Sequence, residues 1–162
     1  MTVHSVDRLG RGLLLAPAVF LAHWLEESAT FVTWFNARVT PGITADTFWS
    51  VNAGGFVMTG FVVLAYLVAP SAVSMVLAVG WLSFLMLTNA AFHLTGAIVE
   101  GGYVPGLWTA ILLYLPYCAW VAWAVMRRHA AAPGWFAAAA VVGGFPMAVH
   151  GYRILFLGSR LF

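Results

Sequence analysis

The chain has 162 residues, of which 63% are hydrophobic and only 7% charged, with seven basic residues, five acidic ones and a formal charge of +2. A soluble domain carries about a quarter charged residues, so a water-soluble enzyme, a nucleic-acid binder and a disordered chain are excluded. The remaining class is an integral membrane protein.

Apolar runs longer than about 18 residues read as transmembrane helices, because about 20 residues at 1.5 Å rise cross the hydrocarbon core. Five such runs predict an all-α bundle in one transmembrane domain, with helices near residues 13–35, 48–68, 72–99, 105–125 and 135–157. The breaks between them carry turn chemistry: Pro41-Gly42, Pro70-Ser71, Gly101-Gly102, and the stretch from Arg127-Arg128-His129 to Pro133-Gly134. Arg8 and Arg11 precede the first run as in a signal peptide. Instead of a small-residue cleavage site, however, His23-Trp24-Leu25-Glu26-Glu27 follows, so the segment reads as a retained helix. With the N-terminus inside, Arg8, Arg11, Arg127 and Arg128 fall on the cytoplasmic side and Arg38 and Arg160 outside, the arrangement the positive-inside rule favours. The single cysteine, Cys118, lies within an apolar run and leaves no intrachain disulfide or thiolate cluster to build.

Ionisable side chains at the centre of a span cost a few kcal/mol each. The first run nonetheless holds His23, Glu26 and Glu27 about halfway along, and offsets of three and four place them on one face. Such a face looks into the bundle or a wet cavity, either as a polar network that pins packing or as a metal or acid–base site. The third run supplies Asn89 and His93 one turn apart, then Glu100 near its end; the fifth supplies His150 and Arg153. A helix–helix hydrogen bond is the alternative for His93 and His150, and a headgroup-level charge the alternative for Glu100. His4 and His129 lie in terminal or loop segments and read as solvated.

Counting residues at 1.5 Å each puts Glu27, His150, Asn89 and Asn52 in one slab, with His93 above it and His23 below. The fourth run contributes Tyr114, Tyr117, Trp120 and Trp123 as walls. Pro116 and Pro146 are expected to loosen their helices. Ala137 to Ala140 with Gly143 and Gly144 offer a small-residue face for close packing.

His23-x-x-Glu26-Glu27, then Asn89-x-x-x-His93, then Tyr103-x-Pro105-Gly106 opening the next helix resemble, in order and spacing, the HXXEE family of small bacterial membrane proteins. The resemblance covers most of the chain. It implies a five-helix-like membrane domain in which His23, Glu26, Glu27 and His93 are the important positions, and it implies no established activity.

Histidine and carboxylate ligands suit a divalent metal: Zn²⁺ first, with Fe²⁺ and Mn²⁺ also fitting. The candidate ligands are His23, Glu27, His93 and His150. Glu26 then serves as general base or bridging carboxylate, with Asn52, Asn89, Arg153 and Glu100 orienting or neutralising a lipid-soluble substrate such as an isoprenoid. A second reading is a metal-free hydrolase similar to the CAAX-type intramembrane proteases. Those enzymes place an arginine after their paired glutamates, and none occurs from Ser28 to Val32. A third is acid-initiated cyclisation or isomerisation. The non-enzyme alternatives are a proton or ion pathway and an assembly subunit, and homo-oligomers remain open.

Overall fold

The computed structural model describes residues 8–128 and 133–157. His4, Asp7, His129 and Arg160, and the readings attached to them, lie outside the described residues. Every regular element among the described residues is helical.

The N-terminal segment departs from the expected continuous span. It forms three pieces: α1 (Arg8–Leu13), α2 (Ala16–Ser28) and α3 (Phe31–Arg38). The first break follows from Pro17. Proline has no N–H to return to the carbonyl one turn earlier and suits the first turn of a new helix, so Leu15 N–H turns back to the Gly12 carbonyl at 3.0 Å and α2 starts afresh. At the second break the Ser28 hydroxyl takes the Leu25 carbonyl at 2.8 Å, a local bond that competes with the helix ladder. Thr30 then leaves helical geometry at φ −138°.

The other four expected spans are found within three residues of their expected ends: α4 (Ala45–Val68), α5 (Ala72–Glu100), α6 (Leu107–Arg127) and α7 (Gly134–Leu157). Their starts and stops are local chemistry. Thr44 caps α4 by accepting from Thr47 N–H at 3.1 Å, Ser71 and Ser74 form a reciprocal capping box before α5, and Gly101 at φ +70° ends it in the left-handed conformation. Among the described residues, these four helices are long and apolar enough to cross a membrane. Val57, Phe61 and Leu64 on α4 and Val141, Val142 and Phe145 on α7 point outward, exposed. An apolar exterior of this kind belongs in lipid, and the chain is a polytopic membrane protein.

The small-residue face of α7 does what it was expected to do. A Cβ on Gly143 would overlap the backbone of Gly80, so α5 and α7 cross at backbone contact. Widened π turns interrupt α5 at Ser83–Leu87 and α6 at Ala110–Tyr114. The second ends just before Pro116, and widening eases the clash of the proline ring with the preceding turn. The broken N-terminal segment lies along this bundle. Tyr117 of α6 donates to the Gly12 carbonyl at 3.1 Å, and Arg38 pairs with Glu100 at the end of α5 at 3.2 Å.

Candidate metal centre

Residues four apart on a helix stack on one side, and α2 uses that spacing to aim His23 and Glu27 inward, 1% and 5% exposed. His93 of α5 meets them, fully buried. Glu27 Oε1 stands 3.2 Å from His93 Nε2 and 3.6 Å from His23 Nε2. One ligand atom from each of the three residues lies within 4.8 Å of the other two. His93 Nδ1 has no hydrogen-bond partner, and neither Nε2 atom has one besides its ion-pair contact with Glu27 Oε1.

Leaving a buried polar atom unpartnered costs about 1–3 kcal/mol. Two imidazoles that share one carboxylate oxygen, with His93 Nδ1 left over, are a poor way to hold helices together. They are, however, arranged as ligands would be: atoms each about 2.1 Å from one ion in a tetrahedral site stand about 3.4 Å apart. The two measured N–O separations bracket that value.

The chain closes tightly around the imidazoles. The two rings meet edge to face with centroids 4.9 Å apart. Tyr114 lies against His23 at 4.2 Å, its hydroxyl buried and unpartnered. Gly106 packs on both: a Cβ there would sit 2.7 Å from His93 Cε1 and 2.8 Å from His23 Cε1, and its φ is +86°. Only glycine fits that place and that conformation.

Glu26 turns elsewhere. Consecutive helical residues diverge by about 100°, so two adjacent glutamates cannot converge on one point. Its Oε1 accepts from the Tyr103 hydroxyl at 2.9 Å and Trp108 N–H at 3.1 Å; its Oε2 accepts from Thr109 N–H at 2.8 Å and the Thr109 hydroxyl at 2.5 Å. The carboxylate therefore caps the N-terminus of α6, where unpaired N–H groups favour negative charge. Tyr103 lies outside the membrane-spanning helices; partial burial, then the bond to Glu26, push its phenol up to about 12, and it remains a donor. The same threonine hydroxyl contacts His23 Nδ1 at 2.8 Å.

Beside the cluster lies a cavity of about 430 Å³. His23 and Glu27 reach it from α2, Asn52 from α4, Asn89 from α5 and His150 from α7, while Phe31, Phe48, Trp81 and Phe84 supply an aromatic wall. The expected layer of Glu27, His150, Asn89 and Asn52 thus becomes one chamber. His93 touches Glu27 from behind its wall. Asn89 Oδ1 is buried there without a partner.

The structure brings the ligand atoms of His23, Glu27 and His93 together, puts Asn52 and Asn89 on the adjoining cavity, and leaves three candidates outside the cluster. His150 is exposed on the cavity, outside the three-residue cluster. Glu100 is paired with Arg38 and does not border the cavity. Arg153 sits exposed in the π turn Arg153–Leu157, likewise away from it. Sequence reasoning missed Thr109 and gave Gly106 and Tyr103 no role. Threonine is unremarkable in a membrane helix and carries no signal, whereas the Tyr103-x-Pro105-Gly106 block was a visible one.

A family model described as "Protein of unknown function with HXXEE motif" matches residues 14–121, and the chain belongs to that family. The matched stretch holds His23, Glu27, His93, Gly106 and Thr109; His150 and Arg153 fall beyond it. No curated protein and no solved structure matches the chain.

Proposed function

We propose that this HXXEE protein is an enzyme of the bacterial plasma membrane that holds a divalent metal at His23, Glu27 and His93 and acts on a lipid-soluble substrate. The observation that carries the reading is the convergence of three buried ligand atoms, both Nε2 atoms facing one carboxylate oxygen, at the edge of an aromatic cavity. Two imidazoles and one carboxylate form a donor set of catalytic zinc and non-haem iron sites, which keep positions open for water or substrate. When bound, Zn²⁺, Fe²⁺ or Mn²⁺ supplies a Lewis acid there.

The chain's own residues then divide the work. The aromatic wall holds the apolar body of the substrate and excludes water. Asn89, whose buried oxygen lacks a donor, takes a polar hydrogen from its head group. His150, exposed on the same cavity, is placed to exchange a proton with the substrate rather than to bind metal. Among the described residues no arginine borders the cavity, which favours hydrolysis or acid–base chemistry on an uncharged head over a diphosphate.

The broken N-terminal segment is read as a fifth crossing, with the N-terminus cytoplasmic. Its attachment to α6 at one end and to the end of α5 at the other supports the crossing, and the arginine distribution supports the orientation. The central test is metal analysis of the protein purified in detergent and exposed in turn to Zn²⁺, Fe²⁺ and Mn²⁺. About one tightly held ion per chain is expected, lost in His93→Ala. Wild-type protein that retains no stoichiometric metal would sink the proposal.

The metal-free reading has one observation in its favour: a single oxygen, Glu27 Oε1, faces both Nε2 atoms, so a proton could be shared among the three groups. Activity that survives exhaustive chelation while Glu27→Gln abolishes it would select this reading.

A further inference from the structure

The hydrogen bonds around Glu26 have one consistent set of directions. The N–H groups of Trp108 and Thr109 can only donate, one to each carboxylate oxygen, at 3.1 and 2.8 Å. Both oxygens are thus acceptors at a helix N-terminus. The Thr109 hydroxyl has a single proton. It lies 2.5 Å from Glu26 Oε2 and 3.3 Å from the Gly106 carbonyl, so the short bond to the carboxylate takes it. Toward His23 Nδ1, 2.8 Å away, the same hydroxyl oxygen must accept. A neutral imidazole carries one proton on one nitrogen. With that proton on Nδ1, the lone pair of Nε2 is left facing Glu27 and His93.

Helix geometry makes the arrangement durable. Thr109 and Tyr114 are five residues apart and would diverge on a regular α-helix, but the i-to-i+5 bonding of the intervening π turn returns them to one side. One holds the His23 edge while the other covers its face, at 4.2 Å between ring centroids.

We propose that Glu26 and Thr109 are positioning residues that lock His23 into its Nδ1–H tautomer. The two glutamates of the motif then have separate tasks: Glu27 is a ligand, and Glu26 prepares His23 to be one. The ligand role of His23 rests on the metal reading above. The proton on Nδ1 is a property of the metal-free chain and can be read without it, whether Nε2 is bare or shares a further proton with Glu27 Oε1, 3.6 Å away.

The experiment is ¹⁵N NMR of histidine-labelled, metal-free protein in detergent micelles, with His23 assigned from a His23→Asn sample, followed by Zn²⁺ titration of the same preparations. Wild type is expected to show His23 protonated on Nδ1. Thr109→Val should give a tautomer mixture and bind Zn²⁺ about 10–100-fold more weakly, as loss of an orienting partner does elsewhere; Thr109→Ser should restore both. Glu26→Gln provides a second route should the valine variant fail to fold, and it too should mix the tautomers. A wild-type His23 protonated on Nε2 alone overturns the proposal. So do folded Thr109→Val and Glu26→Gln variants that both keep the wild-type tautomer, since Glu26 would then be a helix cap only. If wild type shows the Nδ1–H form yet binds no Zn²⁺, the tautomer lock stands and the metal reading fails.

Discussion

Two buried contacts of α5 treat polar atoms in opposite ways. Where α5 crosses α7, Gly143 rests on Gly80, the Ser83 hydroxyl donates to the Ala140 carbonyl at 2.6 Å, and the Thr88 hydroxyl donates to the Ser83 carbonyl at 2.9 Å. Small residues let the backbones approach, and each hydroxyl finds a carbonyl. Where α5 meets α2, the contact carries two imidazoles and a carboxylate: both Nε2 atoms face one oxygen, and His93 Nδ1 has no hydrogen-bond partner. The first contact is complete as it stands. The second resembles it in burial but has too few partners for its polar atoms, and that shortfall separates a site from a packing device.

The comparison can be pressed from its strongest consequence downward. His93→Ala, or Glu27→Gln, should weaken metal binding more than about 100-fold in a Zn²⁺ titration, since a three-ligand site loses a donor. Glu27→Gln keeps the side-chain volume while removing a buried charge and should leave the metal-free protein folded, whereas His93→Ala also empties a fully buried site beside Glu27 and should lower the thermal midpoint. A collapse of the metal-free bundle in Glu27→Gln would break the distinction. Gly106→Ala comes next: with φ +86° and a Cβ against both rings, it should lower stability by about 1–3 kcal/mol and reduce metal affinity together.

Gly143→Val tests the other contact and should give the opposite pattern. A loss of about 1–3 kcal/mol from overpacking against Gly80 is expected, with one ion per folded chain retained in metal analysis. Ser83→Ala is the mildest. Loss of one interhelical hydroxyl should cost about 0.6 kcal/mol, visible as a small drop in the unfolding midpoint and nowhere else.

Much of this was readable from residue order. Apolar length alone marks α4 to α7, because the bilayer imposes a length that few other environments demand. His23, Glu27 and His93 stand out for the same reason inverted: ionisable groups in the middle of such runs are costly there. Pro17 was equally visible, yet its break in the first span was not anticipated, since proline both starts helices and kinks them and neighbouring contacts choose between the two. Glu26 was grouped with Glu27 because offsets of three and four from His23 share a face, although adjacent helical residues point in different directions. Glu100 and Arg153 were counted by helix face, but depth and neighbours set their surroundings: an ion pair with Arg38 for one, an exposed turn for the other.

By itself, then, the amino-acid sequence determined the class of protein, four long apolar helices and the few costly residues worth following, because hydrophobicity and helix periodicity are local properties. Which of those residues converge was decided only by tertiary structure. His23 and His93 are 70 positions apart in the chain, and they meet because Gly106 lets the turn before α6 close over both rings. Thr109 acquires its place because a π turn changes the phase of α6. Convergence of side chains from separate helices depends on crossing geometry and on small departures from ideal helix phase, and neither is written in any one segment.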